Sequence, residues 1–250
     1  MKFRHILPVS IVLAASLTSH AQQASTADQM PAHAKPPRMA YYIDPSVLDV
    51  SLLLANPPAA DSDATKAELA ELHGIETNRT PEQIAKAKAD ETEEDMFAYK
   101  SVFGPVFTPE SLPITAALGE HVKNEQSVVG ASLKQVFQRP RPFQIDATLH
   151  PVCELTTVHN SYPSGHALTG YLEALTLAEI VPEKREEILA RADDYAYSRM
   201  LCGVHYPSDL EASRRVSYVV FGYMLATPRF QHDLAAARAE MRTKLGLPQR

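Results

Sequence analysis

Tight turns, metal centres and thiol chemistry each depend on residues that are scarce in this sequence. Its 250 residues include 9 glycines, 2 cysteines and no tryptophan. So few glycines argue against the many tight hairpin turns of an all-β sandwich or barrel. No histidines have the His-x-His or His-Glu-x-x-His spacing of a zinc centre, and there is no Cys-x-x-Cys pair. The sequence therefore predicts neither a metal cofactor nor a cysteine nucleophile.

Basic residues are also in short supply. Lys and Arg number 24 against 30 Asp and Glu, which gives a formal net charge of −6. Nucleic-acid binding through bulk attraction for phosphate is therefore not expected. Any anionic ligand would need a local pocket of positive charge. The hydrophobic share of 45% and the charged share of 22% are ordinary for a globular protein.

The first 21 residues have the composition of a secretory signal peptide. Lys2 and Arg4 precede an apolar run from Ile6 to Leu17, and Ser19-His20-Ala21 forms a small-x-small cleavage sequence. A retained membrane anchor is the alternative interpretation, but the run is short for a membrane span. No later stretch approaches the roughly 18 apolar residues that a span needs. We therefore expect a soluble protein without membrane association, exported to the periplasm or secreted.

Export would determine the state of the two cysteines. Cys153 and Cys202 form an even pair, and disulfides persist in oxidising compartments. A Cys153–Cys202 disulfide is therefore the expected arrangement, with two buried free thiols as the alternative.

The rest of the chain has the composition of helices. Residues 22–40 are rich in Pro, Ala and Gln and are predicted to form a flexible leader, so the folded domain is expected at 41–250. Strong helix formers predict helices at 62–72, 81–99, 110–137, from Pro182, 207–225 and 228–245. The sequence thus predicts an all-α, single-domain helical bundle.

One of these helices carries a clear apolar face. Helical spacing over 110–137 predicts that one side is buried, at Leu118, Val122, Val129, Leu133 and Val136. The acidic run inside the predicted helix 81–99 has no such apolar face. It is interpreted as a solvated helix face rather than a cation site, and comprises Glu91, Glu93, Glu94 and Asp95.

A first cluster of basic residues lies where the long helix meets two prolines. Pro140 should end that helix near Gln138, because the residue before a proline disfavours the α region. Lys134 then lies on the last helical turn, and Arg141 lies on a stiff extended segment. A compact ammonium and a rigid guanidinium fork are typical phosphate ligands. Complementing the dipole at a helix C-terminus is the alternative use of both.

A second cluster, Pro163-Ser164-Gly165-His166, leads into an apolar helix. Free backbone N–H groups at such a helix start form a ready anion site. Gly165 lets the backbone approach a ligand closely, Ser164 can cap the helix or donate, and His166 would stand beside the anion as a proton donor. A plain N-cap with a surface histidine is the alternative.

A third cluster runs from Ser198-Arg199 to Asp209. Asp209 follows His205 by four residues, and Pro207 between them should begin a helix, so the carboxylate is expected within reach of the imidazole. A carboxylate on one ring nitrogen leaves the other as a nucleophile or base. Arg199 is predicted on an inner helix face, where an unpaired charge would be costly.

Together the three clusters predict a site for phosphate or another tetrahedral oxyanion. In order, Lys-x6-Arg-Pro, Pro-Ser-Gly-His and Ser-Arg-x5-His-x3-Asp resemble the signature of the type 2 phosphatidic acid phosphatase superfamily. Within it the chain looks like a bacterial class A non-specific acid phosphatase. That likeness extends from about Tyr41 to the C-terminus and includes Leu53-Leu-Ala-Asn-Pro-Pro and Leu177-Ala-Glu-Ile.

The resemblance implies a role for each position. His205 would attack phosphorus to give a phosphohistidine, Asp209 would orient it, and His166 would protonate the leaving alkoxide. The equatorial oxygens would be held by Lys134, Arg141, Ser164, Gly165 and Arg199. The resemblance also implies hydrolysis of small phosphate monoesters at acidic pH without a cofactor, phosphoryl transfer to alcohols in some members, and homo-oligomers.

Two other functions share these motifs. Vanadium-dependent haloperoxidases are similar in all three clusters and hold vanadate where a phosphatase holds phosphate. The short chain and the class A likeness outside the motifs favour the phosphatase. A non-catalytic phosphate-binding protein would not need the complete set of His205, Asp209 and His166.

Overall fold

A computed structural model describes residues 39–47 and 49–249. The predicted signal peptide at 1–21 lies outside these residues, as does the predicted leader at 22–40 apart from Met39 and Ala40. The described residues form helices and loops without strands, which confirms the all-α class. The helices are α1 (Asp63–Asn78), α2 (Pro81–Thr92), α3 (Lys100–Phe103), α4 (Pro113–Phe137), α5 (Pro142–Ile145), α6 (Gly165–Ile180), α7 (Arg185–Leu201), α8 (Pro207–Leu225) and α9 (Pro228–Lys244). Short 3-10 segments cover Val50–Leu53, Met96–Tyr99 and Pro182–Lys184.

Local sequence explains where several helices begin. Helices α1, α2, α6 and α9 each start after a side chain that accepts a hydrogen bond from the backbone N–H three residues on; these are Ser62, Thr80, Ser164 and Thr227. Proline occupies the first turn of α2, α4, α8 and α9, where its missing N–H costs nothing.

Other boundaries differ from the predictions. Helix α2 ends at Thr92 instead of continuing to Tyr99, because the chain turns through the acidic run and continues as the 3-10 segment. Helix α4 begins at Pro113, three residues after the predicted start at Glu110, and ends at Phe137 as Pro140 predicts. Val136 was wrongly predicted to be buried: it is 61% exposed, because it lies in the last turn of α4 where the helix extends past the core.

Helix α6 is the centre of the core. It packs against α4, α7, α8 and α9, and most of its residues are buried, as expected for a helix that is apolar on all sides. A Cβ on Gly170 would lie 2.7 Å from Cδ1 of Tyr195, so glycine permits the close approach of α7. The central position of α6 holds its N-terminal turn, Ser164–Gly165, in a fixed place. Within the described part of the chain, no helix is long and apolar enough to cross a membrane.

A disulfide joins Cys153 to Cys202, as expected from the sequence. Cys202 follows the last residue of α7, and Cys153 lies in the loop that leads to α6. The neighbouring Val152 N–H donates to the Cys202 carbonyl at 3.0 Å. The disulfide therefore ties the end of α7 to the chain that enters the second cluster.

Replacement of both cysteines by serine should destabilise the fold. The crosslink joins residues 49 apart in sequence, so its loss frees a long loop in the unfolded chain and should cost about 2–4 kcal/mol. Urea unfolding followed by circular dichroism measures the difference. Dithiothreitol should lower the stability of the wild-type protein to the same extent and leave the Cys153→Ser/Cys202→Ser variant unchanged. Equal unfolding midpoints under oxidising conditions would contradict this expectation.

Candidate active site

The three clusters meet at the N-terminus of α6. Lys134 Nζ lies 3.5 Å from the position that a Cβ on Gly165 would occupy. The end of α4 therefore lies beside the start of α6. The Ser164 N–H donates to the Asp209 carbonyl at 3.3 Å. Arg141 Nη1 lies 3.2 Å from His205 Nε2. Residues from all three clusters therefore line one site.

The partners of His205 determine its tautomer. Nδ1 lies 3.2 Å from Oδ2 of Asp209, while Nε2 faces Arg141 Nη1, which can only donate. Nε2 must then accept, and the ring proton must lie on Nδ1 and point to the carboxylate. Both side chains are almost fully buried. The pair thus presents a lone pair on Nε2, the chemical requirement for a nitrogen nucleophile.

Positive charge keeps this imidazole neutral. Burial, followed by the nearby cations Arg141, Arg199 and Lys134, holds the pKa of His205 well below its usual range. Neutral imidazole is the nucleophilic form, so the lone pair on Nε2 persists at acidic pH.

Asp209 is surrounded by hydrogen-bond donors. Oδ2 accepts from Ser161 Oγ at 2.6 Å and from the Tyr206 N–H at 2.9 Å, and Oδ1 accepts from Arg139 Nη1 at 2.7 Å. Burial raises the pKa of Asp209, while the Arg139 charge and these hydrogen bonds act in the opposite direction. This donor set positions the carboxylate against His205 Nδ1.

Sequence reasoning assigned no role to Arg139, which is buried beneath the site. Besides Asp209 it pairs with Glu68 of α1 at 2.8 Å, and its guanidinium lies 3.8 Å from the centre of the Tyr206 ring. Arg139 and Glu68 are 71 residues apart. The local sequence therefore offered no signal of this contact, except that Arg139, next to Pro140, is a third basic residue in the first cluster.

Three cations surround the space in front of His205. Arg141 adopts the predicted extended backbone and donates from Nε to Asn160 Oδ1 at 2.8 Å. Burial lowers the pKa of Lys134 to about 8, with a further contribution from Arg141. Arg199 is 3% exposed, and its buried Nε has no hydrogen-bond partner among the described residues. Because an unsatisfied buried donor is costly, this group is suited to an oxyanion.

Ser164 and Gly165 provide the backbone part of the site. Ser164 is fully buried and its Oγ caps α6 by accepting from the Ala167 N–H at 3.4 Å. Gly165 is the first residue of α6, and backbone N–H groups in this first turn have no partner within the helix. The turn therefore offers the anion-binding geometry that the sequence predicted.

His166 faces part of the acidic run. Its Nε2 lies 2.8 Å from Glu94 Oε1 and 3.0 Å from the Glu91 carbonyl. The Glu91 carboxylate pairs with Arg199 Nη2 at 3.3 Å. The interpretation of the run as a solvated helix face was wrong for these two residues. The reason is the end of α2 at Thr92, which turns Glu94 away from the outer face of the helix.

A cavity of about 350 Å³ opens in front of these side chains. It is lined by Glu91, Glu94, Arg141, Glu154, Leu155, Thr156, Asn160, His166 and Arg199. Glu91 also lies close to Cys153 and Cys202, but a disulfide offers no thiolate, so this group is not suited to a metal ion. The cavity is therefore lined by carboxylates, cations and a histidine.

Part of this chain is similar in sequence to known proteins. The model of the PAP2 superfamily matches residues 118–233. A non-specific acid phosphatase of Salmonella typhimurium is 36% identical over 156 residues, which are 60% of this chain and 61% of that protein. One from Providencia stuartii is 32% identical over 149 residues, 57% of this chain and 59% of that protein. The chain thus matches about three fifths of the length of these curated relatives.

One solved structure that this chain matches is the transmembrane PAP2-type phosphatidylglycerolphosphate phosphatase from Bacillus subtilis. It is 18% identical, with a TM-score of 0.45, and the match covers 66% of this chain and 86% of that one. The region matched by the family model contains the residues that meet at the start of α6, among them Lys134, His166, Arg199, His205 and Asp209. Over residues 118–233 the chain is similar to the PAP2 superfamily.

Proposed function

We propose that this protein is an acid phosphatase that hydrolyses small phosphate monoesters through a phosphohistidine on His205. The observation that carries the proposal is the environment of His205. Asp209 accepts a hydrogen bond from Nδ1–H, and Nε2 points toward Arg141 in a pocket with two further cations. The names of the similar proteins from Salmonella typhimurium and Providencia stuartii support the same activity.

The first step is an in-line displacement. His205 Nε2 forms a bond to phosphorus while the bond from phosphorus to the ester oxygen breaks. His166 gives its proton to the departing alkoxide, so an alcohol leaves. Asp209 stabilises the positive charge on the phosphorylated imidazole, and Lys134, Arg141 and Arg199 stabilise the charge on the equatorial oxygens.

The second step restores the enzyme. His166, now neutral, accepts a proton from a water molecule as its oxygen attacks phosphorus, and the bond from phosphorus to Nε2 breaks. Inorganic phosphate leaves and His166 is again protonated. An alcohol in place of water would give phosphoryl transfer. Acidic pH is compatible with this cycle, because burial and the nearby cations hold the pKa of His205 well below its usual range. Side-chain cations supply the charge stabilisation, so the proposed reaction is metal-independent.

Export belongs to the same proposal. A basic start, an apolar run and a small-x-small sequence within residues 1–21 support cleavage of a signal peptide. The Cys153–Cys202 disulfide supports an oxidising compartment, so we place the enzyme in the periplasm or outside the cell.

The purified mature protein should hydrolyse p-nitrophenyl phosphate at mildly acidic pH in the presence of EDTA. Turnover should persist after chelation because protein cations, rather than a metal ion, neutralise the phosphoryl oxygens. Initial rates of p-nitrophenol release with and without EDTA provide the measurement.

Two other outcomes would refute the proposal. Halide oxidation after vanadate addition, without hydrolysis of the ester, would identify a haloperoxidase. Saturable binding of inorganic phosphate without any turnover would identify a phosphate-binding protein.

A further inference from the structure

The contacts of His166 determine which of its ring nitrogens can act on a substrate. Nε2 lies within hydrogen-bond distance of the Glu94 carboxylate, at 2.8 Å, and of the Glu91 carbonyl, at 3.0 Å. Both partners are acceptors only, so Nε2 must carry a proton and donate it to them. The nitrogen left for a substrate is then Nδ1.

We propose that Glu94 is a positioning residue for the general acid: it holds the Nε2–H of His166 and favours the imidazolium, so that Nδ1–H is the proton given to the leaving alkoxide. This inference rests on the proposed phosphatase function and extends it. His205 has the opposite arrangement, in which Asp209 holds Nδ1 and leaves Nε2 for phosphorus. A carboxylate thus orients each of the two histidines. Nε2 of His205 is left for the bond that forms to phosphorus, and Nδ1 of His166 is left to protonate the oxygen that leaves.

The segment that carries Glu94 is anchored on both sides. The Glu93 carbonyl accepts from Tyr195 Oη at 2.8 Å, and the Asp95 carboxylate accepts from the Phe97 N–H at 2.8 Å. Glu94 therefore lies on a stretch of backbone that is held on both sides, between α2 and the 3-10 segment Met96–Tyr99. Its side chain is 42% exposed and faces the cavity together with His166.

A second cation stabilises the carboxylate of Glu94. Lys123 Nζ of α4 lies 3.5 Å from Oε2, so the two oxygens have different partners. The hydrogen bond from His166, followed by the charges of His166 and Lys123, lowers the pKa of Glu94 to about 2, against the opposing effect of burial. Glu94 therefore remains ionised throughout the acidic range in which a phosphatase of this kind would work.

Several other groups face this pair. The charged or titratable side chains that act on Glu94 or His166 lie on α4, α6, α7 and at the third cluster; they are Lys123, Lys134, Glu173, Tyr195, Arg199 and His205. Glu91 lines the same cavity. Glu94 is the carboxylate that reaches His166 within hydrogen-bond distance. Its charge can be removed with little change in shape by substitution with glutamine.

The Glu94→Gln variant should lose activity selectively. Glutamine can still accept from Nε2 but carries no charge to stabilise the imidazolium, so the alkaline limb of the kcat profile should move to lower pH. At the pH of that limb, kcat for an alkyl ester such as glycerol 2-phosphate should fall about tenfold. For p-nitrophenyl phosphate, a good leaving group, kcat should change less than about twofold. KM should remain the same for both, because the cations that hold phosphate are intact.

Matched variants separate positioning from a general effect of charge. Glu93→Gln makes the same charge change at an exposed neighbour and should leave both profiles unchanged. Glu94→Asp keeps the charge and should restore the wild-type alkaline limb even where kcat is lower. An unchanged profile for Glu94→Gln, or an equal loss with alkyl and aryl esters, would overturn the role of Glu94 and leave the phosphatase proposal standing. Absence of turnover in the wild-type protein would refute both.

Discussion

Replacement of His205 by alanine is expected to abolish hydrolysis of phosphate monoesters, with a loss in kcat on the order of 10⁴-fold or more. The substitution removes Nε2, the ring nitrogen that faces Arg141 and that forms the bond to phosphorus in the proposed mechanism. The cations around the site remain and continue to bind phosphate, so affinity for inorganic phosphate should be retained. Initial rates with p-nitrophenyl phosphate and calorimetric titration with phosphate measure the two effects separately.

The covalent intermediate provides a second measurement. Wild-type enzyme quenched in alkali during turnover should carry one phosphoryl group on His205, detectable by mass spectrometry of the peptide, whereas His205→Ala should carry none. His232→Ala changes an exposed histidine on α9 and serves as the matched control. If His205→Ala retained a tenth of the wild-type kcat, the assignment of the nucleophile would be wrong.

The second large effect is expected from Asp209→Asn, with kcat lower by about 10³- to 10⁴-fold. Every polar neighbour of the two carboxylate oxygens is a donor, including Arg139 and the Nδ1–H of His205. An asparagine must place its own NH₂ group against one of these donors. Arg139 is charged and cannot accept a hydrogen bond, so the NH₂ group should take the place of Oδ2. There the Tyr206 N–H loses its acceptor, and His205 can accept on Nδ1 only with its ring proton moved to Nε2. The nucleophilic lone pair would then be lost.

Folding should survive this change. Asparagine has the shape of aspartate, and Arg139 keeps its ion pair with Glu68. The circular dichroism spectrum should therefore resemble that of the wild type while kcat falls, although the buried NH₂ group against donors should lower the unfolding midpoint. Asp63→Asn, at an almost fully exposed carboxylate of α1, should affect neither quantity. A fully active Asp209→Asn enzyme would show that the carboxylate does not set the tautomer of His205.

Much of the site was predictable because its parts are local. The spacing of His205 and Asp209 across Pro207 places the two groups at adjoining positions on one turn, whatever surrounds them. Ser164 caps the start of α6, and Pro140 ends α4 just past Lys134. Both effects act between residues that are close together in the chain. Such interactions depend on neighbours within four residues, so the local sequence is enough to predict them.

The errors arose where the partner is distant in sequence. Glu91 and Arg199 are 108 residues apart, and Glu94 meets His166 because α2 ends early and the chain turns. An acidic run looks the same whether it faces water or a cation. Likewise Val136 has the period of a buried residue, but α4 extends past the core at that turn.

Local sequence therefore determined most of the helices, several of their ends and the residues of the candidate oxyanion site, because helix propensity, capping and proline sterics act over a few residues. The tertiary structure decided the partners of the charges: Arg139 and Glu68 with Asp209, and Glu94 with His166. Tertiary packing brings groups from separate helices and loops within 3 Å of one another. At that distance, hydrogen bonds and electrostatic interactions determine which nitrogen of each histidine carries a proton.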